Sequence, residues 1–175
     1  MVALSTKLAS SGCPTPALSV GSTPGMRAID HLDEISECRP GNYVFFDNTM
    51  VTIGAATPGE CAVSVLASVI SSQPSPKRSI IDAGALALSK DPGRGGAETP
   101  TMGRIYSDYA SGALRDDLSV TGLSQEHGMI PGRLAVGEKI RILPNHSCLT
   151  IACFDEYHVV QGDEVVDRWK VARGR

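Results

Sequence analysis

The sequence lacks the marks of several protein classes, and each lack excludes something. Its five cysteines are odd in number, irregularly spaced and without a Cys-x-x-Cys pair. That excludes a disulfide framework and fits a reducing compartment, the cytoplasm by default. It lacks a dominant charge: the formal net charge is -3 with both signs interspersed, which leaves no electrostatic footprint for nucleic acid or a membrane surface. It also lacks a long apolar run. Met1 to Ser11 carries a single charge, Lys7, and no stretch of signal-peptide length, and no later run reaches a membrane span. No internal repeat is visible, and the full Gly-rich pattern and lysine of a P-loop are missing. At 175 residues the chain suits one domain of ordinary size, able to bury a core without staples and expected to meet a small-molecule partner.

The stretch richest in chemistry is Arg141 to Phe154, Arg-Ile-Leu-Pro-Asn-His-Ser-Cys-Leu-Thr-Ile-Ala-Cys-Phe. Read as a strand, it puts His146, Cys148 and Thr150 on one face, with Ser147, Leu149 and Ile151 on the other. An imidazole and a thiolate two residues apart form a half-site for a borderline-soft cation such as zinc. Two protein ligands leave coordination positions open for water or a substrate hydroxyl, as a catalytic metal requires. The plain alternative is a hydrogen-bonded histidine beside a buried thiol.

Along the chain, a short helix near Ala3 and a short strand, Ala17 to Val20, lead into Gly21-Ser22-Thr23-Pro24-Gly25. Such a turn offers backbone N–H groups and hydroxyls to a phosphate, although an ordinary loop reads the same way. The strand has no earlier strand to pair with. Met26 to Glu37, with Met26, Ile29, Leu32 and Ile35 at helical spacing, predicts an amphipathic helix. Arg39 to Asn42 is a turn, and Tyr43 to Phe46 reads as a strand closed by Asp47-Asn48. Strands follow within Cys61 to Ser71, at Ser79-Ile80-Ile81 and at Lys139 to Leu143. Glu156 to Val160 and Glu164 to Ala172 are joined by a hairpin turn at Gln161-Gly162-Asp163. Ser71 to Pro76 reads as a polar loop and Asp91 to Thr101 as a longer, mobile surface loop. Adjacent Glu126 and His127 are site candidates that a regular strand would point opposite ways.

These segments in order resemble the C-terminal part of the D-serine dehydratase-like and D-threonine aldolase enzymes, relatives of alanine racemases. The likeness rests on Arg39-Pro40-Gly41-Asn42-Tyr43-Val44-Phe45-Phe46-Asp47 and on Ile81-Asp82-Ala83-Gly84 through Ser89-Lys90-Asp91. It continues in Gln125-Glu126-His127-Gly128, Val136-Gly137-Glu138, Pro144-Asn145-His146-Ser147-Cys148 and Trp169-Lys170-Val171-Ala172-Arg173-Gly174. The resemblance implies a mainly β fold: an antiparallel, partly barrel-like metal-binding domain over residues 25–175. Residues 1–24 would be a βα remnant of a pyridoxal-phosphate-binding TIM barrel, with exposed apolar surface at Ala17, Leu18 and Val20. It makes His146 and Cys148 metal ligands and Gly21, Ser22 and Thr23 phosphate contacts, with His127 as a catalytic candidate.

The implied reaction of the intact enzyme is dehydration and deamination of a D-3-hydroxy amino acid, with pyridoxal phosphate as electron sink and zinc or another divalent cation on the β-hydroxyl. If the hydroxyl is deprotonated instead, the Cα–Cβ bond breaks, as in a D-threonine aldolase. A thiolate ligand favours zinc and the dehydratase, whereas aldolases commonly carry a carboxylate there and use harder manganese. The intact enzyme is expected to be a homodimer. The lysines are Lys7, Lys77, Lys90, Lys139 and Lys170, and none stands in the N-terminal strand context where the family binds its cofactor. The chain is therefore expected to be a partial form, inactive alone, and a non-catalytic metal-binding or interaction module is the rival reading.

Overall fold

The computed structural model describes residues 1–93 and 101–172. Most of the loop expected at Asp91 to Thr101 thus lies outside the described residues, as do residues 173–175. The chain divides into two compact units, Met1–Val44 and Phe45–Arg175.

The first unit contains α1 (Val2–Ser10), β1 (Ser19–Val20), α2 (Thr23–Ala28) and β2 (Glu37–Cys38). The strand expected to be without a neighbour has one: β1 pairs in parallel with β2, Ser19 opposite Glu37 and Val20 opposite Cys38. The same pairing overturns the helix expected over Met26 to Glu37. The N–H groups of Ser36 and Glu37 both donate to the Leu18 carbonyl and that of Arg39 to the Val20 carbonyl, so residues 36–39 must be extended. The helix instead starts earlier, where Ser22 Oγ accepts the Gly25 N–H at 2.9 Å with a proline in the first turn, and it stops at Ala28. Ile29 and Leu32, expected on its buried face, are each 43% exposed. Ala17 is exposed while Leu18 and Val20 are half-buried; the larger exposed apolar side chains of this unit include Leu4, Leu8, Tyr43 and Val44.

The second unit is antiparallel β, with its helices in the connections. Its strands are β3 (Val65–Pro74), β4 (Lys77–Ile81), β5 (Gly103–Asp108), β6 (Ala113–Val120), β7 (Gly122–Leu123), β8 (Gly128–Ile130) and β9 (Lys139–Leu143). They form one sheet in the order β6-β5-β9-β3-β4-β8-β7. Only Thr121 separates β6 from β7, yet these two strands occupy opposite ends of that order. The sheet must therefore curl until its ends meet, and the Thr121 N–H donates to the Met129 carbonyl across the seam at 2.9 Å. A nearly closed barrel results, which protects edges that would otherwise pair with other chains.

Strand alternation fills its interior. Along β3, Val65, Ala67 and Val69 are buried while Leu66 and Ile70 face out at 63% and 45% exposure. Ile81, Ile105, Val120, Ile130, Ile140 and Ile142 meet them in one core. The polar segment Ser71 to Pro76 does not begin as a loop. β3 continues through Pro74, paired residue by residue from Ser71↔Ile80 to Pro74↔Lys77, because the ladder to β4 satisfies its backbone better than a loop would. Pro74 sits at the strand's end, where a missing N–H costs little.

Tyr43 to Phe46 is not a strand either. Asn42–Val44 forms a 3-10 turn and Phe46 takes a φ of +52°, which turns Asp47 toward the start of α3 (Asn48–Thr52). The final hairpin, β10 (Glu156–Gln161) and β11 (Glu164–Lys170), forms as expected around Gly162 at a φ of +61°. It is a separate two-stranded sheet, and Val165, Val166 and Trp169 on β11 are exposed. Phe45 stacks on Tyr157 with ring centroids 5.5 Å apart.

Asp167 offers a readout of this hairpin. The Trp169 Nε1–H donates to its carboxylate at 2.7 Å, and the Arg168 N–H adds a second bond. Together they hold Asp167 below the usual aspartate range. A depressed carboxylate stabilises the fold above the unfolded pKa, and that contribution is lost as pH falls through the depressed value. Trp169 is the sole tryptophan. Its emission should change in an acid titration with a midpoint below the ordinary aspartate value, and Asp167→Asn should abolish the step. A midpoint at the ordinary value, or a step that survives the substitution, would refute this contact.

Candidate metal centre

The segment after β9 carries His146 and Cys148, and a buried polar framework holds it. Asn145 and Ser147 are wholly buried, as are Asp47 and, at 1% exposure, Thr150. Buried polar groups of this kind are tolerated only when paired. Asp47 pairs twice: Oδ1 accepts the Met50 N–H at 3.0 Å as the N-cap of α3, and Oδ2 accepts the Ser147 N–H at 2.9 Å. Ser147 opens α5 (Ser147–Ile151). A single carboxylate thus serves two helix N-termini, where orphan N–H groups and the positive ends of peptide dipoles favour it.

Further bonds clamp the same turn. The Asn48 N–H donates to the Pro144 carbonyl at 3.0 Å, Asn48 Nδ2 to Asn145 Oδ1 at 2.9 Å, and Thr49 Oγ1 to the Asn145 carbonyl at 2.7 Å. Asn145 Nδ2 in turn donates to the carbonyls of Asp91 and Thr101. The Thr150 hydroxyl reaches the Leu88 carbonyl at the end of α4 (Ala85–Leu88), 3.3 Å away.

The strand expected through His146 to Thr150 is replaced by a helix. His146 is its N-cap, with an extended φ of -139° and ψ of 101°, and Cys148 lies in its first turn. The physical reason is Asp47, whose carboxylate rewards a helix start at Ser147 in a way no strand could use. His146, outside the helix, escapes the 100° step that would otherwise turn residues two apart to nearly opposite sides. Its ring is partly exposed, and Nδ1 lies 2.7 Å from Asp91 Oδ2. Cys148 is exposed. Cys61 behaves differently: burial, then the charges of Asp47 and Glu60, push its thiol up to about 12, so it stays protonated and inert.

The remaining sequence-derived candidates lie elsewhere in the chain. His127 is exposed at the end of a tight turn in which the Ser124 N–H donates to the His127 carbonyl at 2.8 Å. Gly84 packs so closely there that a Cβ would stand 2.4 Å from the backbone nitrogen of His127. In the first unit Gly21 and Ser22 are exposed. Thr23 is buried, and its Oγ1 accepts the Asn42 N–H at 3.0 Å.

Two potential occupants can be tested against these groups. For a divalent cation the residue types suit, since His146 offers a partly exposed imidazole and Cys148 an exposed thiol, and among the described residues no group of three or more His, Cys, Asp or Glu gathers that could hold one. For covalently held pyridoxal phosphate the chain offers Lys7, Lys77, Lys90, Lys139 and Lys170, all exposed, so none has the desolvation that activates a Schiff-base lysine. Sequence reasoning did not single out Asp47 or Asp91 as site residues. Asp47 had a local signal, a capping-type residue before a short Asn-Thr-Met helix start. Asp91 had none, being 55 residues from His146.

Comparison with known proteins places the chain. Residues 62–160 match the family model described as a putative serine dehydratase domain. The chain is 37% identical over 185 aligned positions to D-threo-3-hydroxyaspartate dehydratase of Delftia sp., covering 95% of the chain and 47% of that enzyme. It is 35% identical to the D-serine dehydratase of Dictyostelium discoideum, covering 94% of the chain and 44% of that enzyme. It therefore spans about half the length of these curated relatives. The solved Delftia enzyme superposes with a TM-score of 0.81 at 35% identity, over 98% of this chain and 48% of that one. That enzyme has also been solved as a histidine-to-alanine mutant and, in a metal-free form, as an alanine mutant of the cysteine two residues further on.

Asp47→Ala should cost about 1–4 kcal/mol in denaturant unfolding, since each of two lost caps is worth about 0.5–2 kcal/mol. It should also loosen α5, seen as faster amide exchange at Ser147 to Ile151. A loss below about 0.5 kcal/mol would remove Asp47 from its central place.

Proposed function

Because the chain belongs to the serine dehydratase domain family, we propose that it is the metal-binding part of a pyridoxal-phosphate- and metal-dependent lyase acting on D-3-hydroxy amino acids, by dehydration and deamination of D-serine or a close analogue. The observation that carries this reading is the His146-x-Cys148 pair on a prebuilt turn, which repeats the histidine and cysteine spacing mutated in the Delftia enzyme.

In this reading His146 and Cys148 would hold a zinc ion whose further ligands would be water or the substrate hydroxyl. When bound, zinc supplies a Lewis acid that makes the β-hydroxyl a better leaving group, and pyridoxal phosphate supplies an electron sink at the α-carbon. The chain's contribution is placement: a buried framework of hydrogen bonds with Asp47, Asn48 and Thr49 holds the turn that carries both side chains. The thiolate supports zinc and dehydration over a carboxylate site and aldol cleavage. Gly21, Ser22 and Thr23 are the proposed phosphate contacts. The chain spans about half the length of its curated relatives and every one of its lysines is exposed, so this span alone is proposed to be inactive. The intact enzyme is proposed to be a cytoplasmic homodimer, the compartment resting on five free cysteines.

The test is metal analysis followed by assay. The chain should bind about one zinc, and His146→Ala and Cys148→Ala should each abolish stoichiometric binding. Assayed with D-serine and D-threonine, the chain alone should show no turnover. Fused to a pyridoxal-phosphate-bearing barrel of the same family, it should release ammonia from D-serine in a chelator-sensitive way. Release of glycine and an aldehyde from D-threonine would instead establish the aldolase, and unchanged zinc content in both variants would refute the metal assignment.

A further inference from the structure

Taking His146 and Cys148 as the metal ligands, we propose that Asp91 is a positioning residue of this centre, holding His146 as the Nδ1–H tautomer so that Nε2 is the nitrogen presented to the metal. Asp91 Oδ2 lies 2.7 Å from His146 Nδ1. A neutral imidazole has one donor and one acceptor nitrogen, and a carboxylate at that distance accepts, so the hydrogen sits on Nδ1 and the lone pair on Nε2. Carboxylate partners of this kind also make the opposite nitrogen a stronger ligand and fix the plane of the ring.

Asp91 is not a passing surface contact, because its backbone is held by the same turn. Asn145 Nδ2 donates to the Asp91 carbonyl at 3.1 Å, while the adjacent His146 meets its side chain. Ser89 Oγ accepts the Asp91 N–H at 3.3 Å. The Thr150 hydroxyl donates to the Leu88 carbonyl at 3.3 Å, which fixes the segment leading to Asp91 against α5. Two consecutive residues of the metal-bearing turn thus grip one residue of a distant loop, one by its main chain and the other by its carboxylate. Asp91 is not itself a ligand in this arrangement. Its Oδ2 is spent on Nδ1, and among the described residues Asp91, His146 and Cys148 do not gather into one group of three metal-holding side chains.

The experiment uses the full chain with zinc alone as probe, and compares the parent with Asp91→Ala, Asp91→Asn and His146→Ala. Long-range ¹⁵N–¹H correlation spectra of the histidine rings read the tautomer in the metal-free protein, competition with a chromophoric chelator reads zinc affinity, and circular dichroism checks folding. The parent should show His146 as the single Nδ1–H tautomer. Asp91→Ala should give a mixture and bind zinc about 10- to 100-fold more weakly. Asp91→Asn, whose amide oxygen can still accept, should keep the tautomer and recover most of the affinity. Parent-like affinity in Asp91→Ala while His146→Ala loses zinc would overturn the role of Asp91 and leave the metal site standing. Undiminished zinc binding in His146→Ala would overturn the metal reading and this role with it, and the two failures differ in which variant stays silent.

Discussion

A buried carboxylate shared between two helix starts is the interaction on which the candidate site depends. Asp47 is wholly buried, yet it sits where two sets of orphan N–H groups point, at Met50 and at Ser147. Desolvating a carboxylate is expensive, and only charge-assisted bonds of this kind offset it. Their effect reaches beyond stability. Because Ser147 must start a helix to use the carboxylate, His146 becomes an N-cap and Cys148 a helical residue, and the backbone that carries both candidate ligands is set by a side chain 100 positions earlier in the chain.

The barrel gives that framework its rigidity. β9 lies near the middle of the sheet, between β5 and β3, with Ile140, Ile142 and Leu143 buried. The turn that carries His146 and Cys148 leaves the end of this strand, so its first residues inherit the position of a well-packed core element. Closure of the sheet through the single residue between β6 and β7 keeps that strand central. The site is thus a loop on a scaffold, the arrangement by which binding residues usually gain both placement and access.

Much of this was legible in the sequence, and the failures have physical causes. The alternation in β3, the short apolar runs of β4 and β9 and the Gly162 turn of the last hairpin were readable because burial on one face of a sheet imposes period two locally. The errors fall where a partner outside the segment, near or distant in the chain, overrides its local pattern. Met26 to Glu37 has helical spacing, but β1 takes residues 36–39 as its neighbour. Tyr43 to Phe46 has strand composition, but the capping demand of Asp47 bends it. His146 to Thr150 reads as a strand until Asp47 is placed beside Ser147. The candidate ligands His146 and Cys148 stand in the sequence as residue identities, whereas the carboxylate beside the histidine ring does not, since no local spacing relates Asp91 to His146.

The central claim is that a prebuilt turn presents an imidazole nitrogen and a thiolate to one metal and leaves its other positions open. X-ray absorption at the zinc edge, on the zinc-loaded chain, tests it most directly. The account predicts a first shell with one sulfur at about 2.3 Å, one imidazole nitrogen at about 2.0 Å and the remainder light atoms from solvent. A shell without sulfur, or one closed by several sulfurs and imidazoles, would contradict it.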